Sequence, residues 1–235
     1  MTVADARGRR FDAITGVGFA VLALVGLVLP GTPPKADDSL IDLAGYFVDH
    51  RDDILVGNLL LGLAAALFLW WLGSVRSYLR AGEGGEGRLS AAAFGSGIAG
   101  IALLLAGAGL FNGIVFGLVE GELASQAGGD VIRAFFDAGS ALIALSAFPF
   151  AVFFAAASCS AARSGALPAW AYWSGSVIAV LQTLAGLAIV VEKGFFATGG
   201  GMTLIAPLAA LLWIVAVSVV MARRGGVPPV ARTEP

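Results

Sequence analysis

A single cysteine, Cys159, stands among 235 residues, which excludes an intrachain disulfide and any cysteine-built metal cluster. A single histidine, His50, leaves too few imidazoles for a haem or zinc centre, and no G-x-S-x-G elbow is present to carry a serine triad. Lysine is nearly missing as well: the basic residues are twelve Arg and two Lys. No basic tract of the kind that follows nucleic acid occurs, so neither a nucleic-acid partner nor a cofactor is expected. Charged residues make up 13% of the chain, against about 25% in an ordinary soluble domain. Apolar side chains take their place, at 58% of residues and a mean hydropathy of +0.89. They are gathered in long runs that suit lipid, which is a solvent for them, better than water.

The most informative run is Ile54–Leu72, in which Asn58 is the only polar residue. Its length suffices for a bilayer crossing, which takes about 20 residues. Trp70 and Trp71 follow at a position that suits the membrane–water interface. Arg76 and Arg80, one helical turn apart, suit the cytoplasmic headgroups. Five further runs of this kind predict an all-α polytopic transmembrane bundle, a single integral membrane domain over residues 1–235. The six spans are expected at about 12–30, 54–75, 90–118, 131–158, 170–191 and 202–221, with 222–235 a disordered cytoplasmic tail. Arg7–Arg10 followed by apolar Ala13–Leu29 has the look of a signal peptide. The segment after it is Pro30-Gly31-Thr32-Pro33-Pro34 rather than a small-x-small cleavage site, so a retained first span is expected.

Between spans 1 and 2 lies the acidic stretch Lys35–Asp53. Leu40, Leu43, Ala44 and Phe47 repeat there with helical spacing behind the capping candidates Asp38 and Ser39. This predicts a short amphipathic helix resting on the outer membrane surface. Ala81–Arg88 reads as a flexible turn, since its glycines lack the preceding strand and following Lys-Ser/Thr of a phosphate loop. The third run, Leu89–Val119, would be roughly 45 Å long as a helix against a hydrocarbon core of about 30 Å, so it must tilt, bend or project. Gly109, Gly113, Gly117 and Gly121 form a small-residue stripe at its outer end, suited to close helix packing within the chain or in a homo-oligomer. Asp130 is a candidate N-cap for the fourth span and Pro149 a kink within it. Trp170, Tyr172 and Trp173 form an aromatic belt at the start of the fifth.

Charge fixes a direction. With six spans and the N-terminus inside, the inner segments hold ten basic and five acidic residues, and the outer ones four and eleven. That asymmetry obeys the positive-inside rule with both termini cytoplasmic.

Two segments carry a resemblance. Tyr46–Arg80, with YFVDHRD and LFLWWLGSVRSYLR, and SGALPAWAYWSG over Ser164–Gly175 are similar to uncharacterised multi-pass membrane proteins of high-GC Gram-positive bacteria. The resemblance implies a bacterial plasma membrane location and the six-helix layout. It implies no activity.

Polar residues at membrane depth are functional suspects. Asn58, Asn112 and Asp137 fall in the outer halves of their spans and Gln182 near the middle of its own, so together they could line a pocket open to the outside. Each also has a structural reading. Asp137 lies one turn after Arg133, and Asn112 and Gln182 can hydrogen-bond between helices. Asp49, His50, Asp52 and Asp53 are ligand types for a divalent cation, but acidic outer loops are ordinarily solvated and no metal is expected. With no catalytic set, the expectation is a non-enzymatic membrane protein acting through a membrane partner. The alternative is a small transporter or channel subunit with an outward-facing pocket. Two sets of three spans in opposite orientation suit an inverted repeat, though the halves share no sequence similarity.

Overall fold

Without water in hydrocarbon, a backbone must satisfy its own N–H and C=O groups, and helices do so within a single segment. The computed structural model describes residues 3–119 and 126–224, and every regular element among them is helical. The elements are α1 (Val3–Val28), α2 (Leu40–Asp49), α3 (Arg51–Glu83), α4 (Arg88–Val119), α5 (Gln126–Ser164), α6 (Ala169–Ala185, continued by a 3-10 turn at Gly186–Ile189) and α7 (Met202–Arg224). Five helices, α3 to α7, are long and apolar enough to cross a membrane, whereas the apolar part of α1, Ile14–Val28, is shorter. The expected tail beyond Arg224 and the fourth glycine of the stripe, Gly121, lie outside the described residues.

Several helices run past their expected ends. With 39 residues, α5 is roughly 58 Å long, about twice the hydrocarbon core. It carries Pro149 internally, and α7 carries Pro207. The turn expected over residues 81–88 contracts to Gly84–Gly87, because α3 continues to Glu83. Three of those four residues are glycines at φ 70°, 61° and 71°, a region closed to most other side chains.

The helices close into a ring in the order α1–α3–α4–α5–α6–α7, with α7 returning to α1 and α3 touching α5 across the middle. The centre is packed with aromatic rings. Phe68 and Trp71 of α3 meet Phe153 of α5 at centroid distances of 6.2 Å each, and Phe153 in turn meets Trp213 of α7 at 6.2 Å. Phe19 of α1 joins from one side, 4.9 Å from Phe68, and Phe154 from the other, 5.2 Å from Trp213.

This corrects the expectation for Trp71. Trp70 is 62% exposed, as an interface residue should be, but Trp71 is 0% exposed and part of the axial packing. Successive helical residues point about 100° apart, so one tryptophan of an adjacent pair can face lipid while the other faces the core.

Close helix contacts also fall elsewhere than on the expected stripe. A methyl group at Gly109 would meet nothing within 4 Å, and one at Gly113 would meet only the Phe135 ring, at 3.1 Å. Gly117 is half-buried. The backbones of α4 and α5 approach instead at Gly107 and Gly139, where a Cβ on Gly107 would stand 2.7 Å from the Gly139 carbonyl oxygen. Gly26 and Gly57 do the same for α1 and α3, at 2.7 Å. Spacing alone finds small residues; only the facing helix decides which of them are needed. Gly107→Ala should therefore destabilise the detergent-solubilised protein by about 1–3 kcal/mol through overpacking. Gly109→Ala should be neutral or stabilising by up to about 1 kcal/mol. Paired thermal melts would check both.

Candidate functional site

The polar chemistry within the bundle concentrates on the seam between α3 and α4, which run antiparallel. At its outer end the Asn58 side-chain amide donates to Asn112 Oδ1 at 2.7 Å and to the Ala108 carbonyl at 3.2 Å. Further in, Leu72 lies over Gly97, within 2.8 Å of where a Cβ would be. Next, the Arg76 guanidinium sits 5.1 Å above the Phe94 ring, a cation–π contact. The aliphatic stem of Arg80 then folds against Gly87, its Cγ 3.2 Å from a Cβ position that only glycine leaves empty. Glu83 finishes the seam, its two carboxylate oxygens accepting from the backbone N–H groups of Leu89 at 2.7 Å and Ser90 at 2.9 Å. Those are orphan donors of the α4 N-terminus, so Glu83 acts as its cap.

Of the four polar residues expected to converge, the fold brings two together. Asn58 and Asn112 form the half-buried pair just described. Gln182 is buried on α6, and its side-chain amide donates to the Ala206 carbonyl of α7 at 3.4 Å, next to Pro207. Asp137 is exposed on α5 and pairs with Arg133 at 3.3 Å, one turn away. No hydrogen bond joins the Asn58–Asn112 pair to either of them among the described residues. In each case the partner is another part of the same chain.

The outer end of the bundle is capped by α2. The Ser39 hydroxyl accepts from Asp42 N–H at 3.2 Å to start the helix. Leu43 and Phe47 are buried in a second apolar cluster with Ile54, Ile114, Val115, Ile132 and Phe136. Phe47 lies 5.9 Å from Phe111 and 6.4 Å from Phe136. The apolar face of α2 is thus turned onto α3, α4 and α5 rather than onto a membrane surface, because this aromatic socket removes Leu43 and Phe47 from solvent. Ile41 and Val48 remain exposed on it.

Arg133 secures the connection ahead of α2, its guanidinium donating to the carbonyls of Ala36 and, at 3.0 Å, Asp38. Lys193, from the loop before α7, pairs with Asp37 at 3.7 Å. The Tyr46 hydroxyl donates to the Pro30 carbonyl at 3.1 Å, and burial, with Asp53 nearby, pushes its pKa up to about 12. The role of Arg133 escaped the sequence reading, which assigned it only to Asp137. One of only two arginines on a strongly acidic side, it carried the available signal. Asp49, His50, Asp52 and Asp53 do not gather: His50 Nδ1 lies 3.2 Å from the Tyr46 carbonyl and Asp52 pairs with Arg51 at 2.7 Å. Among the described residues no three metal-ligating side chains come together.

At the other end of the bundle, where the Tyr78 hydroxyl of α3 reaches the Ala166 carbonyl ahead of α6, Arg80 is exposed and Trp170 and Trp173 are 51% and 67% exposed. No protein-family model matches the chain, and comparison with curated proteins and with solved structures finds no match.

Two outcomes follow from the seam. Replacing Asn112 by Leu should cost about 1 kcal/mol, and a double-mutant cycle with Asn58→Leu should return a coupling of that size. Glu83 is the last residue of α3, beyond the apolar run that ends at Leu72. Burial alone would raise its pKa, but the Leu89 and Ser90 N–H groups, the Ser90 hydroxyl and nearby Arg163 hold it below the ordinary glutamate value. A depressed carboxyl pKa stabilises above the unfolded value and the effect is lost as pH falls through the folded one. Glu83→Gln should therefore melt below wild type at pH 7, with the gap closing below about pH 4.

Proposed function

We propose that the chain is a six-span protein of the bacterial plasma membrane, with both termini cytoplasmic, that acts without catalysis through contact with another membrane protein. The observation that carries this reading is where the intramembrane polar groups are spent. Asn58, Asn112 and Gln182 bind other helices of the same chain, and the axis is filled by Phe68, Trp71, Phe153 and Trp213. Polar side chains used this way hold helices together in lipid, where the apolar effect gives no net preference for helix over tail. A conducting path along the axis would need those rings to move.

The sixth span is supported by α1, which runs 26 residues and packs along both α3 and α7. The inward termini are supported by the excess of arginine on the inner segments. The resemblance to uncharacterised membrane proteins of high-GC Gram-positive bacteria supports the bacterial setting. A transporter or channel subunit is the second reading, favoured by the half-buried Asn58–Asn112 pair lying near the α2 cap.

In a Cys159→Ser background, single cysteines replacing Asp37 and Gly85 should react with a membrane-impermeant thiol reagent from opposite sides. Reaction from one side overturns the topology. Proteoliposomes should show no ion or solute flux above protein-free vesicles. Flux that disappears in Asn58→Leu would replace the first reading by the second.

A further inference from the structure

We propose that Arg76 and Arg80 form a binding site for the phosphate of an anionic phospholipid, at the end of the α3–α4 seam opposite Asn58. The two residues are one turn apart on the edge of α3 that faces α4; α4 holds the first and the turn leading into α4 holds the second. Phe94 takes the face of the Arg76 guanidinium at 5.1 Å. Gly87 takes the stem of Arg80, with Cγ and Cδ at 3.2 and 3.5 Å from its absent Cβ. Stacking uses the flat face of a guanidinium and stem packing uses its methylenes, so the N–H edges of both groups stay free to donate. Two such edges a helical turn apart match the oxygens of one phosphate, to which arginine binds in fork geometry.

No carboxylate competes for them. Among the described residues the ion pairs are Arg51–Asp52, Arg133–Asp137 and Lys193–Asp37, and none involves Arg76 or Arg80. Glu83, the nearest acid along α3, is occupied by the Leu89 and Ser90 N–H groups and lies in the field of Arg163. Glu86 stands exposed on the turn without an ion pair. The level of the site argues for a lipid over a soluble anion. The apolar run of α3 ends at Leu72, Trp70 is 62% exposed just before it, and Arg76 begins one turn later. That is the depth at which a bilayer presents its phosphates. The site does not depend on whether the partner reading holds.

The test uses the full chain, delipidated in a neutral detergent, with bound lipid counted by native mass spectrometry and melting followed in parallel. The probes are phosphatidylglycerol, phosphatidylcholine and inorganic phosphate at matched concentrations. Phosphatidylglycerol should bind and raise the melting temperature, while the other two should not. Arg76→Gln/Arg80→Gln should bind it roughly 30-fold more weakly. Arg76→Lys/Arg80→Lys should recover part of the loss, and Arg223→Gln/Arg224→Gln, an equal charge change elsewhere, should have no effect. Should the double Gln variant fail to elute as a single species, each single variant is expected to lose roughly fivefold. Equal binding of phosphatidylglycerol to wild type and the Gln variants overturns the site. Equal stabilisation by phosphatidylcholine, or by inorganic phosphate, overturns its assignment to an anionic lipid.

Discussion

The antiparallel register of α3 against α4 is the constraint on which the remaining contacts depend. It is set at the outer end by the Asn58–Asn112 hydrogen bond, in the middle by Leu72 over Gly97, and at the inner end by Glu83 on the α4 N-terminus. In lipid an amide left without a partner is costly, so the outer bond resists a slip that packing alone would tolerate. The Glu83 cap and the glycine turn fix the other end within four residues. Once α3 is held there, Phe68 and Trp71 face the ring axis, where Phe153 and Trp213 complete the packing.

The two ends of the bundle are finished by different means. The outer end is closed by chain that leaves the helices and returns: α2 seats Phe47 among Phe111 and Phe136, and Arg133 and Lys193 tie down the segment before it. The inner end is closed by short turns, with Glu83 capping α4 and the Tyr78 hydroxyl donating to the Ala166 carbonyl at 2.9 Å. Charge follows the same division. Acidic residues crowd the connections at the α2 end, where Arg133 and Lys193 pair with Asp137 and Asp37, and at the opposite end Arg76 and Arg80 form no ion pair among the described residues.

This economy bears on function. A protein that moves a polar solute needs polar groups available to it, and here the amides at membrane depth are engaged with one another or with backbone. Arg76 and Arg80 form no ion pair among the described residues and lie past the apolar run of α3 rather than within the bundle.

Sequence alone determined the all-helical class, five of the six expected membrane-length segments, the α2 helix with its Ser39 cap, and the Arg133–Asp137 pair, since each rests on local spacing or on the cost of polar backbone in lipid. It also supplied Asn58, Asn112 and Gln182 as residues needing partners, because any amide in such a run must find one. The tertiary structure decided which partner each would have. It sent Trp71 inward and left Trp70 outside, chose Gly107 and Gly139 over Gly109 and Gly113, and turned the apolar face of α2 onto the bundle. It also split the four polar residues, giving Asn58–Asn112 and Gln182 separate helix contacts and leaving Asp137 paired within its own helix. Those outcomes depend on which face of one helix meets which face of another, and hydropathy cannot encode that, because in a membrane every face of a spanning helix is allowed to be apolar.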